Sequence, residues 1–191
     1  MSGFAEVLEF WFGAPQSPER GRPRKAWFNK SAAFDAEIRS RFFGTWERAS
    51  RGELGSWAAT PLAGLALVIV LDQFPRNMFR GTARAFASDS IALAAAKSMV
   101  ERGFDPVLLP AERLFVYLPF EHAEDTGAQR RSLALFETLR TEPLGEDNTD
   151  YARRHYEIIA RFGRFPHRNA ILGRQCTAEE IEFLKQSGSS F

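Results

Sequence analysis

Two stretches of this chain concentrate side chains able to do chemistry, and they echo one another. Residues 71–81 read LDQFPRNMFRG and residues 161–174 read RFGRFPHRNAILGR. Each holds Phe-Pro, then Arg-Asn, then a short apolar step to Arg and Gly. In the first, Asp72 follows ten apolar residues and precedes Arg76, Asn77, Arg80 and Arg84. A carboxylate at the end of an apolar helix faces the negative end of the helix dipole, so it requires a cation nearby. In the second, Arg164, His167, Arg168, Asn169 and Arg174 fall within 11 residues that contain no acid. Such a group repels itself unless distant acids or a bound anion compensate it, and arginine forks suit carboxylate or phosphate.

The acids closest in character lie in YLPFEHAEDTGAQ, residues 117–129, where Glu121, Glu124 and Asp125 surround His122. If 119–132 is helical, Glu121, Asp125 and Gln129 form one polar row. Crowded carboxylates raise one another's pKa, and a histidine beside them can carry protons. These residues equally suit a solvated acidic turn or a salt network with the arginine loop. The chain has three histidines. His155 sits on an apolar helical face with Tyr151 and Ile159, the usual setting of a hydrogen-bonded core histidine. Glu121, His122, Asp125, His155 and His167 are all metal-ligating types, yet HExxH, ExxH and cysteine clusters are missing, so neither metal nor other cofactor is expected. Gly-rich nucleotide fingerprints and the G-x-S-x-G elbow are missing too.

The elements that must position these residues read as helices. Phe4, Leu8, Trp11 and Phe12 share one face of a first helix, with Ser2 as a candidate cap. Ser31 caps a second, in which Phe34, Ile38, Phe42, Trp46 and Ala49 recur. Pro61 opens a third that runs to about Phe74, where Pro75 is expected to break it and turn the chain. Residues 89–102 form another, closed by Gly103. A short helix follows Pro110 and ends at Pro119; 119–140 continue helically; 142–148 form a loop. Tyr151, His155, Ile158, Ile159 and Phe162 line a further helix stopped by Gly163. Thr177 and Glu180 have capping-box spacing for the last. The expectation is all-α, about eight helices, one domain over 1–191. Residues 13–30 and 163–176 are the long irregular pieces.

Composition narrows the class. The 45% hydrophobic and 26% charged residues are those of a globular protein, and the net charge of +1 provides no field for nucleic acid or a membrane surface. The longest apolar run, 62–71, is half of what a membrane span needs. The single cysteine, Cys176, excludes an internal disulfide, fits a reducing cytosol and reads as structural. A cytoplasmic protein is expected.

The stretches LDQFPRNMFRGTARAFASD, YLPFEHAED, HYEIIARFGRFPHRNAILGR and the final SGSSF resemble a bacterial family of uncharacterised proteins, domain of unknown function nine hundred and twenty-four, from VLEFWFG to Phe191. The resemblance implies an all-helical fold near the tetratricopeptide-repeat-like right-handed arrays, although no 34-residue period is visible here. The family hallmarks carried by this chain are Asp72, Arg76, Asn77, Glu121, His122, His155, Arg164, His167, Arg168, Asn169 and Arg174. Three functions remain open. The first is a scaffold that binds a small anionic ligand or acidic peptide end through Asp72, Arg76, Asn77, Arg164, Arg168, Asn169 and Arg174. The second is a hydrolase- or lyase-type enzyme with His122 or His167 as acid or base, Glu121 or Asp72 orienting it. The third is a protein-interaction module without a small-molecule site.

Overall fold

The computed structural model describes residues 3–143 and 145–190; the Ser2 cap and the terminal Phe191 lie outside them. Among the described residues there are helices and no strand. The α-helices are α1 (Phe4–Phe12), α2 (Ala32–Ser50), α3 (Pro61–Val68), α4 (Phe74–Met78), α5 (Asp89–Glu101), α6 (Pro110–His122), α7 (Thr126–Glu137), α8 (Gly145–Phe162) and α9 (Ala178–Leu184). A π turn, Ile69–Gln73, joins α3 to α4 without a break, so these make eight rods.

The α3–α4 rod is central: residues 63–75 are all buried, and all but Asp72 and Gln73 are apolar. It packs against α1, α2, α5 and α6. Phe74 touches Phe42 (ring centroids 4.8 Å apart) and Trp11 (5.7 Å), and Trp11 meets Phe115 of α6 at 5.5 Å. A smaller cluster of Ile158, Ile159 and Phe165 anchors the second Phe-Pro segment. The Ser31 cap forms as expected, its hydroxyl accepting from Phe34 N at 3.3 Å. The Thr177–Glu180 capping box also forms.

The expected break at Pro75 does not occur. Phe74 is helical (φ −59°, ψ −42°) and donates its N–H to Ile69 O, the five-residue bond of a π turn. Proline lacks the N–H that would have bonded Leu71 O. That carbonyl instead accepts the Ser88 hydroxyl at 2.6 Å, and Ser88 Oγ in turn accepts Trp46 Nε1 at 3.1 Å. A partner 17 residues away thus repairs the helix, and Asp72 lies inside the rod rather than at its end. We expect Ser88→Ala to cost about 2 kcal/mol, since it orphans a buried carbonyl and a buried indole N–H. Urea denaturation checks this, and an unchanged midpoint would refute the repair.

Two other boundaries differ from expectation. α6 passes through Pro119, whose neighbours from Leu114 to Glu121 are all buried, so packing outweighs one lost hydrogen bond. It stops at His122, and Asp125 caps α7 by accepting from Ala128 N at 2.7 Å. The row Glu121, Asp125, Gln129 therefore does not share a helix. Gln129 instead donates to Glu121 O (2.6 Å) and Ala123 O (2.9 Å), fixing the end of α6. α8 begins at Gly145, so the loop expected over 142–148 is shorter and Asp147 and Asn148 are helical. No described helix is long and apolar enough to cross a membrane.

Candidate functional site

The π turn of the central rod faces the end of α6, and a histidine–carboxylate pair forms there. His122 Nδ1 lies 2.8 Å from Asp72 Oδ1. Asp72 is fully buried. Its Oδ2 accepts Gln73 Nε2 at 2.6 Å, and Arg76 Nη1 lies 3.3 Å from Oδ1. Burial alone would raise its pKa, but the charge of Arg76 and the contact with His122 outweigh burial and hold Asp72 below the usual carboxylate range. His122 moves down, because burial and Arg76 outweigh the attraction of Asp72. At neutral pH the pair is therefore a carboxylate and a neutral imidazole. The carboxylate accepts Nδ1–H, which leaves Nε2 as the basic nitrogen.

Glu121, one residue earlier, is in the opposite state. It is 4% exposed, and burial followed by the charge of Asp72 pushes its pKa up to about 8. Its Oε1 lies 3.3 Å from His155 Nδ1, whose proton goes to Tyr151 O at 2.8 Å. Its Oε2 is buried with no hydrogen-bond partner. His155 is driven down to about 3, chiefly by burial, and stays neutral. A neutral carboxylic acid and a basic imidazole thus stand on consecutive residues, carried by the last turn of α6.

The two Phe-Pro segments do meet, and Asp89 at the start of α5 joins them. Arg76 binds it with both ends of its fork (2.8 and 3.0 Å), and Arg168 Nη1 lies 3.6 Å from Oδ2. Arg168 is 6% exposed, sandwiched between the rings of Phe86 (4.7 Å) and Phe165 (4.4 Å), and donates to His122 O at 3.0 Å. Burial and the charge of Arg76 lower its pKa to about 10, so it remains a cation. The rest of the second segment is tied to acids. Arg164 binds Glu180 (2.7 and 2.8 Å), and Arg174 binds Glu124 (2.5 and 2.9 Å). Asn169 bridges Arg174 and Glu180. His167 packs beside Phe165, its pKa lowered to about 4 mainly by burial. None of these residues of the second segment lines the cavity beside His122.

That cavity measures about 640 Å³. Glu121, His122 and His155 form one wall; Gln73, Arg76, Asn77 and Arg80 form another. Arg80 is held by Asp35 (2.9 Å twice), which also accepts Asn77 Nδ2 at 2.8 Å. Asp35 and Asp89 were not recognisable as site residues from sequence, because their partners lie 45 and 13 positions away. Phe28 falls in a long irregular segment and Arg154 on the exposed side of a helix, so neither carries a local signal of a site, while Tyr151 reads only as part of an apolar face. Among the described residues, no group of three His, Cys, Asp or Glu side chains is arranged to hold a metal ion.

Comparison with known proteins gives two matches and one blank. The family described as bacterial protein of unknown function (DUF924) matches residues 7–188. A solved structure of a protein of unknown function from Agrobacterium tumefaciens is similar, at 41% identity and a TM-score of 0.83. The likeness covers 95% of this chain and 96% of that one. Among curated proteins, none matches.

Proposed function

The chain belongs to the bacterial family of unknown function DUF924, and we propose that it is an acid–base enzyme of hydrolase or lyase type acting on a small organic molecule in the 640 Å³ cavity. The observation that carries this reading is the Asp72–His122 pair at the cavity wall. In this reading His122 Nε2 removes a proton from substrate or water, and Asp72 stabilises the imidazolium that forms. Glu121 supplies its carboxyl proton to the leaving group or to the oxygen where negative charge develops. The proton held by His122 then returns to Glu121 through solvent, which restores both groups. Opposed pKa shifts on neighbouring groups are how one site holds an acid and a base at the same pH.

A scaffold that merely binds an anion is the weaker reading, because Arg76 and Arg80 already have carboxylate partners in Asp89 and Asp35. The test is a turnover screen of small esters, amides and hydroxy acids with the wild-type protein and His122→Gln. Turnover should fall about tenfold or more in the variant. The pH–rate profile should rise as His122 loses its proton, below its ordinary value, and fall near pH 8 as Glu121 ionises. Glu121→Gln should remove the alkaline limb along with most of the rate. Equal turnover in wild type and His122→Gln would end the reading.

A further inference from the structure

Two charged side chains of the cavity lining take no part in the proton-transfer pair, and they carry opposite signs. Asp147 stands in the first turn of α8 and Arg154 two turns further on, and both line the cavity. The other charges of the lining are already matched: Arg76 pairs with Asp72 and Asp89, Arg80 pairs with Asp35, and Glu121 is held neutral. Among the described residues, neither Asp147 nor Arg154 has an ion-pair partner. Asp150, one turn before Arg154, is taken by Arg153 at 3.2 Å. Glu157, three residues beyond it, lines a neighbouring groove of about 440 Å³ whose rim Arg154 shares. The Arg154 guanidinium lies 5.6 Å from the centre of the Tyr151 ring, a contact made by its face and not by its N–H edge. The helix dipole alone favours an acid in a first turn, so Asp147 by itself indicates nothing. What points to a ligand is that both charges share a cavity with Glu121, which is 4% exposed and whose Oε2 has no hydrogen-bond partner. Seven residues of helix set the two positions about 10 Å apart along one face. The lining also carries the amides of Asn29, Gln73 and Asn77, side chains of the kind that hydrogen-bond a peptide backbone.

We propose, resting on the acid–base reading, that the substrate is a short peptide with both ends free, about three residues long: its ammonium group pairs with Asp147 and its terminal carboxylate with Arg154. An extended tripeptide spans about 10 Å, the separation of the two positions on α8. The cavity of about 640 Å³ suits a ligand of that size. In the reaction, water adds its oxygen to a peptide carbonyl carbon and gives one proton to His122 Nε2. The C–N bond breaks, and the leaving nitrogen takes the proton of Glu121. The new carboxylic acid passes its own proton to the new amine, so a tripeptide and one water give a dipeptide and an amino acid. Asp147 and Arg154 are specificity residues: a peptide blocked at either end leaves one of them without its counter-charge.

Isothermal titration calorimetry on the full chain tests this with trialanine, N-acetyl-trialanine and trialanine amide, in the wild type and in His122→Gln, where the peptide stays intact. Trialanine should bind about fivefold or more tightly than either blocked form, because each block removes one charge-assisted pair. Arg154→Gln should abolish the discrimination against the amide and keep that against the acetylated peptide. Asp147→Asn should do the reverse. Both side chains are exposed, so the variants retain the fold. Equal affinity for the three peptides, no heat from trialanine at millimolar concentration, or discrimination unchanged in the two variants would overturn the proposal. Because binding is read without turnover, the two readings fail separately. Trialanine that binds by both ends but is not hydrolysed in a His122-dependent way sinks the acid–base chemistry alone. His122-dependent turnover of other amides or esters, with no discrimination between free and blocked peptides, sinks the substrate class alone.

Discussion

Replacing Glu121 by glutamine is expected to stabilise the protein by about 3 kcal/mol at pH 7. The folded chain holds Glu121 at 4% exposure, with one oxygen near a neutral histidine and the other without a partner. Burial first, and then the charge of Asp72, raise its pKa from 4.5 to about 8. The unfolded chain ionises the same group at its ordinary value. Folding therefore retains a proton that the unfolded chain has released. The contribution of this group is fully favourable below about pH 4.5 and is lost progressively as the pH rises through the folded value near 8. Glutamine is neutral throughout, so the difference between variant and wild type should be small at pH 4.5, large at pH 7 and largest above pH 8. Urea denaturation at these three pH values measures it. A difference that does not change with pH would mean that Glu121 is already ionised in the folded protein, and the general-acid role would go with it. Lower activity in a more stable protein is the usual mark of a group retained for chemistry rather than for folding.

Much of this arrangement was legible in the sequence as residue types, and little of it as geometry. The four-residue recurrence from Phe34 to Ala49 gives α2 directly, and the Ser31 and Thr177 caps are local signals that the fold keeps. Asp72, Arg76, Glu121 and His122 stand out because helices need few such residues in order to fold. Their placement depends on partners that no local spacing reveals. Pro75 reads as a breaker because its missing bond is visible in sequence, whereas the Ser88 hydroxyl that satisfies Leu71 O is not. The acid-free run 163–174 reads as an anion site because Glu124, Glu180 and Asp89 are remote in the chain; folding brings all three to it. The cavity lining is the hardest to foresee. Phe28 falls in a long irregular segment, and Tyr151 has the spacing of a core residue although its ring is exposed.

Asp72→Asn should have the opposite sign to Glu121→Gln, costing about 3–5 kcal/mol, the range for breaking a buried charge pair. Asp72 is fully buried and ionised; its carboxylate accepts from His122 and Gln73, and Arg76 pairs with it at 3.3 Å. An asparagine can replace one accepting oxygen but presents its amide hydrogens where the other accepts. Arg76 and Arg168 would then share the partly exposed Asp89 as a counter-charge. Removing the cation as well, in Asp72→Asn with Arg76→Gln, should recover much of the loss. Because the folded pKa of Asp72 is depressed, its contribution is present above the ordinary carboxylate value of 3.8 and disappears as the pH falls through the lowered one. The cost of the single variant should therefore be full at pH 7 and shrink towards acid, as the gain in Glu121→Gln does with the opposite sign. The same substitution removes the charge that fixes a proton on His122 Nδ1, so the basic Nε2 is lost together with the stability. A midpoint at or above that of wild type would show that the Asp72 charge is a burden to the fold, retained for its place beside His122 rather than for the ion pair with Arg76.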